Sequence, residues 1–136
     1  RHLVRRRALR AADGAIVGWR AWWASNLVGM LASPSQGPRW DGALLVAPSF
    51  PEGAVRDTAG IHACWTRLSA RDLFPRAQVF GRVLGYGRFA AGPEGWRAEH
   101  VVIDRLRVEP EWDEWVAPLA GRYGCPVSVR ARRARC

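Results

Sequence analysis

The sequence predicts an α+β fold, a single domain in which a curved, mainly antiparallel sheet carries two tryptophan-rich covering helices. The length of 136 residues fits one domain, and eight tryptophans among 49% hydrophobic residues can fill a core. The predicted elements follow the order strands, helix, hairpin, helix, which is typical of α+β proteins. Three glycines inside one predicted strand, Gly81, Gly85 and Gly87, indicate bulges, strong curvature or a second backbone lying close.

Three strands are predicted before the first helix. Residues 15–24 follow a turn signal at residues 13–14 and form a strand with two distinct faces. Shorter apolar stretches at residues 27–32 and 43–47 are the second and third strands. The faces of the first strand are Val17, Trp19, Ala21 and Trp23 on one side, and Ile16, Gly18, Arg20 and Trp22 on the other.

A helix is predicted over residues 60–73, because its apolar residues are spaced i, i+3, i+4 and i+7. In a helix His62 and Cys64 would point about 200° apart, at roughly 100° per residue, and would not form a catalytic pair. We expect Cys64 to be a small core residue. The apolar residues of this helix are Ile61, Cys64, Trp65 and Leu68.

A hairpin is predicted around residues 92–95, whose Gly-Pro-Glu-Gly sequence suits a type I turn. It joins residues 79–91 to residues 96–103. Closure at this turn places Phe89 opposite Ala98, and Arg88 opposite Glu99. An opposite-charge pair across an antiparallel ladder supports this register, although it contributes only about 0.2–1 kcal/mol.

The last helix has the clearest pattern. Pro110 suits its first position, and Gly124 suits its end. Residues 126–129 are a candidate edge strand after it. The apolar stripe of the helix, spaced i, i+3, i+4, i+7 and i+11, is Trp112, Trp115, Val116, Leu119 and Tyr123.

Positive charge is concentrated at the two ends of the chain. All 21 basic residues are arginine and the formal net charge is +9. Residues 1–12 are a predicted basic N-terminal arm, residues 13–129 the α+β domain, and residues 130–136 a basic C-terminal tail. Residues 13–129 hold 12 arginines and all 12 acidic residues, so the body is formally neutral. The candidate nucleic-acid-binding residues are Arg5, Arg6, Arg7, Arg10, Arg130, Arg132, Arg133 and Arg135.

Cysteine usage and hydropathy indicate a cytoplasmic protein without a membrane partner. The three cysteines are odd in number and form no CxxC pair, which is typical of a reducing compartment. No apolar run approaches the roughly 20 residues of a membrane span. Residues 5–7 resemble the arginines of an export signal, but Arg10 and Asp13 interrupt the apolar stretch that should follow. Metal-ligand spacing and a phosphate-binding glycine loop are both missing, so no cofactor is expected.

Five short segments in a fixed order resemble a family of small actinobacterial proteins with no assigned activity. The segments are GWRAW at 18–22, GIHA at 60–63, GRV at 81–83, GWRAE at 95–99 and LAGRYG at 119–124. The resemblance implies a grouping over residues 16–127 and no mechanism. Many relatives carry a cysteine where this chain has Ala59, so a metal bound there would lack that ligand. The repeated GWRA unit suggests that Trp19 and Trp96 face the same core.

Seven residues form the predicted ligand or partner site. Trp22, Trp23 and Trp40 are the tryptophans that the predicted core does not require, and aromatic rings beside arginine stack on bases or planar ligands. Packing in the core or in a lid is the alternative for each ring. His62 could meet His100 near a carboxylate and bind zinc, although a solvated or hydrogen-bonded histidine is the commoner case. The seven residues are Arg20, Trp22, Trp23, Arg39, Trp40, His62 and His100.

These observations favour a non-enzymatic binding domain. We expect a rigid, neutral body whose arginine-rich ends contact an acidic partner, either nucleic acid or an acidic protein. Each arginine–phosphate contact would release a counterion and add affinity that is independent of sequence. The alternative is a small enzyme or ligand-binding protein with a pocket between residues 60–64 and the glycine-rich hairpin. No catalytic residue is assigned.

Overall fold

The described part of the chain is an α+β structure of eight strands, two α-helices and one 3₁₀ helix. It is a computed structural model that describes residues 14–25, 29–33, 39–40, 42, 44–46 and 61–131. The strands are β1 (Ile16–Ala24), β2 (Leu31–Ala32), β3 (Arg39–Trp40), β4 (Leu44–Val46), β5 (Ile61–Cys64), β6 (Val79–Ala91), β7 (Gly95–Val108) and β8 (Val127–Val129). The helices are α1 (Arg67–Leu73), the 3₁₀ helix (Pro110–Trp115) and α2 (Val116–Tyr123). The α+β class is confirmed.

The sheet curves until four of its strands close a ring. β1 pairs with β6 along one edge and with β5 along the other, where Trp19 lies opposite Cys64. β7 pairs with both β5 and β6, which completes the circuit. The pairings among the described strands are antiparallel, except that β8 runs parallel to β7. Such closure requires the strong curvature that the glycines of β6 predicted.

The β6–β7 hairpin has the predicted register. Phe89 lies opposite Ala98, and the guanidinium of Arg88 lies 2.8 Å from the carboxylate of Glu99. Between Tyr86 and Phe89 the strand bulges, and Gly87 has a φ of 79° there. Hydrogen bonds from the side chain and the backbone of Arg88 lower the pKa of Glu99 to about 2. The charge pair and the turn therefore specify the same alignment.

The predicted helix over residues 60–73 is wrong in its first third. Residues 61–64 form β5, which pairs with β7 and alternates buried and exposed side chains. The helix begins only after Thr66, whose hydroxyl accepts a hydrogen bond from the backbone N–H of Ser69. The spacing of Ile61, Cys64 and Trp65 suits a helix, but a short strand also suits it when a neighbouring edge supplies backbone partners. α1 contains no tryptophan, so the prediction of two tryptophan-rich covering helices is not confirmed in the described part of the chain.

The predicted C-terminal helix is divided in two. Residues 110–115 form a 3₁₀ helix, and Trp112 has non-helical dihedral angles of φ −113° and ψ 24°. α2 continues to Tyr123 and ends at Gly124 in the left-handed region, as predicted. Trp115 is buried, whereas Trp112 is half-buried against the core.

The main core contains Trp96, which lies across two glycines. A Cβ at Gly18 would be 2.6 Å from the indole, and one at Gly85 would be 2.7 Å from it. The indole N–H donates to the carbonyl of Val17 at 3.0 Å. Trp19 points to the other face of the sheet, so the two GWRA segments do not place their tryptophans in the same core. A smaller cluster on that other face contains Ala21, Phe80 and Ala77.

We predict that Gly18→Ala lowers the free energy of unfolding by about 1–3 kcal/mol, because the added methyl group would overlap the ring of Trp96. Gly121→Ala is the matched control. Gly121 lies in α2 with no atom within 4 Å of an added Cβ, and alanine there should stabilise the helix by about 0.5–1 kcal/mol. Urea unfolding of both variants measures the difference. Equal midpoints for the two variants would contradict the close packing of Trp96 on Gly18.

Candidate functional site

Trp22 and Trp40, predicted as ligand-stacking residues, are completely buried. Both indoles have 0% exposure, and they pack edge to face with ring centroids 5.5 Å apart. The hydroxyl of Tyr123 donates to the carbonyl of Trp40 and accepts from the N–H of Leu31. These rings are therefore part of the main core, and neither offers a face to a ligand in this structure.

Arg20 closes a gap in the edge of β1. The strand pairs with β5 at Trp19 and with β2 at Trp23, and the guanidinium of Arg20 lies between these two contacts. It donates to the carbonyl of His62 and to the hydroxyl of Ser33. Arg20 therefore links β5 to the chain just after β2.

Burial accounts for the electrostatics of Arg20. Its Cζ lies 5.8 Å from the ring centroid of Trp22 and 5.3 Å from that of Trp40. Burial lowers the pKa of Arg20 to about 10, and Cys64 partly opposes this effect. The side chain remains a cation at neutral pH and is engaged in holding strands together. Trp23, its neighbour in the predicted site, is half-buried against the smaller cluster.

The structure gives no support to a histidine or cysteine centre among the described residues. His62 lies opposite Arg97 and His100 lies opposite Tyr86, so the two histidines are not cross-strand partners. No group of three His, Cys, Asp or Glu side chains in this part of the chain could hold a metal ion. Burial, with a contribution from Glu94, raises the pKa of the Cys64 thiol, although Arg20 opposes it. A raised pKa disfavours the nucleophilic thiolate.

Several predicted residues lie outside the described part of the chain. The side chain of Arg39 is one of them, although its backbone forms β3. Seven of the eight candidate nucleic-acid-binding arginines also lie outside, namely Arg5, Arg6, Arg7, Arg10, Arg132, Arg133 and Arg135. The eighth, Arg130, is placed on the body, where its backbone N–H donates to the carbonyl of Val108 at 2.8 Å.

The glycine-rich hairpin is filled by the protein's own atoms. A Cβ at Gly81 would overlap the carbonyl oxygen of Arg105, and Trp96 covers Gly85. These glycines accommodate a close backbone and an indole, respectively, so their location does not define the pocket that the sequence suggested.

A different site, which we call the arginine groove, lies on the face of the sheet opposite the main core. It runs between α1 and the segment around β8 and has a volume of about 1320 Å³. Its charged lining contains two acidic residues, Asp104 and Glu111, and seven arginines. One of them, Arg20, has its guanidinium over the core rings of Trp22 and Trp40, and the other six carry the charge of the groove. The six arginines are Arg67, Arg71, Arg82, Arg105, Arg107 and Arg130.

The floor of the arginine groove consists of residues that face each other across neighbouring strands. Arg82 of β6 lies opposite Trp19 of β1 and opposite Arg105 of β7. Two residues earlier in β6, and on the same face, Phe80 lies opposite Arg107. Two arginines opposite each other repel, which is unfavourable in an antiparallel pair.

A β-bulge partly offsets this repulsion. Asp104 is the extra residue of β7, since Val83 pairs with Ile103 and Arg82 pairs with Arg105. Its carboxylate lies 2.9 Å from the Nε of Arg82 and 3.8 Å from that of Arg105. One carboxylate thus serves two cations, and the floor keeps an excess of positive charge.

Two arginines of α1 cover aromatic rings in the arginine groove. The Cζ of Arg67 lies 5.7 Å from the ring centroid of Trp19, and that of Arg71 lies 4.7 Å from the centroid of Phe80. Phe80 is buried in the smaller cluster, whereas Trp19 is half-buried. The groove therefore combines cations with one accessible indole.

Glu109 binds two arginines at the end of the arginine groove. Arg130 donates to both of its carboxylate oxygens at 2.7–3.0 Å, and Arg71 donates at 3.4 Å. Burial raises the pKa of Glu109, but the hydrogen bonds and charges of Arg130 and Arg71 outweigh this effect, so that the pKa is lowered overall. The carboxylate thereby joins α1 to the chain that follows β8.

Sequence reasoning missed the arginine groove because charge was counted along the chain. Five of the six arginines lie within the formally neutral segment 13–129. The alternation of Arg105 and Arg107 with the buried residues Leu106 and Val108 was a usable signal, since it places both arginines on one face of a strand.

Comparison of the chain with protein-family models, with curated proteins and with solved structures finds no match in any of the three. Among the described residues, no helix has both the length and the apolar character needed to cross a membrane.

We predict that Glu109→Gln lowers the free energy of unfolding by about 1 kcal/mol near neutral pH. The charge-assisted hydrogen bonds are lost, while the one-third exposure of Arg130 keeps the effect small. Because the pKa of Glu109 is depressed, its contribution is complete above the ordinary value of 4.5 and disappears as the pH falls through the lowered value. The difference between variant and wild type should therefore shrink in acid. Thermal unfolding at a series of pH values measures this difference in stability, with Glu114→Gln at an exposed site as control. A difference in stability that stays constant down to about pH 3 would contradict the stabilising role of the ionised Glu109.

Proposed function

We propose that this chain is a non-catalytic binding domain that holds a phosphate-bearing polyanion in the arginine groove. The observation that carries the proposal is the pairing of Arg82 with Arg105 on an open sheet face, with Arg107 beside them. Like charges on directly opposite residues are unfavourable in the free protein, and a bound anion offsets that repulsion. The positive charge that the shared carboxylate of Asp104 leaves unbalanced on Arg82 and Arg105 is thus explained by what these arginines bind.

The dimensions of the groove support an extended ligand. Its volume of about 1320 Å³ exceeds the roughly 300–1,000 Å³ of typical small-molecule sites. Its cations come from α1, β6, β7 and the residue after β8, so that they are distributed along the groove. A polymer with regularly spaced phosphates can contact several of them at once.

The arginine-rich ends have a secondary role in this proposal. Residues 1–10 and 132–136 carry most of the excess charge of the chain and are expected to add affinity that is independent of sequence. The groove supplies the defined contact. Removal of the ends should therefore weaken binding without abolishing it, whereas ends that acted alone would take all of it with them.

We predict that the double variant Arg105→Gln with Arg107→Gln binds polyanions at least about tenfold more weakly than wild type. On a single-stranded ligand, the slope of log affinity against log salt should fall by about 1.4, at roughly 0.7 for each phosphate that is no longer neutralised. Arg76→Gln with Arg122→Gln is the matched control, because it removes the same charge from exposed sites outside the groove lining. Fluorescence anisotropy with a labelled oligonucleotide and competition by inorganic polyphosphate are the measurements.

The chain lacking residues 1–10 and 132–136 completes the test. Retained binding that still depends on Arg105 and Arg107 supports the groove. Equal losses in the two double variants would show that only net charge matters. Complete loss of binding on truncation would assign the function to the ends instead.

A further inference from the structure

Trp19 differs from the other seven tryptophans of the chain. Each of the others belongs to, or packs against, one of the two hydrophobic clusters of described residues, whereas Trp19 is in neither of these. It is half-buried and lines the arginine groove. An indole that neither cluster of described residues uses, placed among the arginines of the groove, is a candidate surface for a ligand.

A ligand can displace the guanidinium of Arg67, which covers the ring of Trp19. Arg67 lies over its ring, but Arg67 is an exposed residue in the first turn of α1. In the described part of the chain it forms no ion pair with a carboxylate. A cation–π contact at an exposed site is worth only about 0.5–1 kcal/mol. A planar ligand can therefore displace the guanidinium at little cost, and Arg67 then lies within reach of a neighbouring phosphate.

The chemistry that matches both features is a nucleobase joined to a phosphodiester. A base stacks on an indole through its π face, which every base possesses, and its backbone supplies the anion. In a duplex both faces of each base are already stacked on neighbours, so only an unpaired base can reach Trp19. Inorganic polyphosphate has the charge but no ring.

We infer that the ligand of the arginine groove is single-stranded nucleic acid, with one base stacked on Trp19 in the place now occupied by Arg67. This inference rests on the proposed function, because the phosphates must first bind the arginines. It adds a preference for single strands and a residue responsible for it.

The experiment compares three tryptophan variants on three probes. The probes are a labelled oligo-dT, a duplex of equal length and inorganic polyphosphate of similar charge. Trp19→Leu keeps apolar bulk but removes the aromatic face, and Trp19→Phe keeps a ring. Trp23→Leu is the control, since Trp23 is half-buried on the same face of the same strand but lies outside the groove lining. Circular dichroism checks that each variant is folded.

Trp19→Leu is expected to lose about fivefold to a hundredfold in affinity for oligo-dT, as stacking of one base implies. Its affinity for polyphosphate should remain within about twofold, since arginine–phosphate contacts are unchanged. Trp19→Phe should keep most of the oligo-dT affinity, and Trp23→Leu should match wild type on every probe. Wild type should bind oligo-dT more tightly than the duplex.

A second measurement observes ligand binding at Trp19 in the wild-type protein and needs a variant only to assign the resonance. In wild type labelled with 5-fluorotryptophan, the ¹⁹F resonance of Trp19, assigned by its absence in Trp19→Phe, should shift on addition of oligo-dT. Polyphosphate should leave it nearly in place. Equal shifts with both probes, equal losses of affinity on both probes for Trp19→Leu, or tighter binding of the duplex would overturn the inference. The groove itself would still stand if Arg105→Gln with Arg107→Gln weakened binding of polyphosphate.

Discussion

The position of Trp96 between Gly18 and Gly85 is the contact on which the rest of the fold depends. One side chain of β7 lies against β1 and β6 and donates to the carbonyl of Val17. It therefore holds three of the four strands that close the ring. Each interior glycine costs about 0.5–1 kcal/mol relative to alanine. A fully buried tryptophan contributes about 3–5 kcal/mol to the free energy of unfolding, which exceeds the destabilisation caused by the two glycines.

The same contact determines where charge accumulates. Once the inner face of β6 and β7 is filled, the pleat sends every second residue to the outer face. Val83, Leu106 and Val108 are buried, and the arginines between and beside them face outward. A segment with no formal net charge can therefore have a strongly basic surface. The face of the sheet on which a charged residue lies depends on its position in the strand and not on the net charge of the segment.

The features of the fold that the sequence predicted correctly are those that depend on residues close together in sequence. The register of the β6–β7 hairpin followed from its turn and from the Arg88–Glu99 pair, and the end of α2 followed from Gly124. β5 was missed because its backbone partners are supplied by β7, more than thirty residues away. The candidate site was mostly missed for a similar reason.

Trp22 and Trp40 were predicted to bind a ligand because the core predicted from the sequence did not require them. In the structure both are completely buried in the main core, where they pack edge to face. Arg67, Arg82 and Arg107 lie far apart in sequence, and only the closed sheet brings them to one groove. Of the predicted site residues, Arg20 and Arg130 line the groove.

The hydroxyl of Tyr123 has a consequence for the order in which the molecule is completed. It bonds Leu31 and Trp40 across separations of 92 and 83 residues, so α2 secures β2 and β3. A ribosome exposes these strands long before it exposes Tyr123, since synthesis proceeds at about 5–20 residues per second. The buried amide of Leu31 and carbonyl of Trp40 therefore lack this partner until Tyr123 has been synthesised. Contacts of such long range slow folding, and here they make the synthesis and docking of α2 the step that secures β2 and β3.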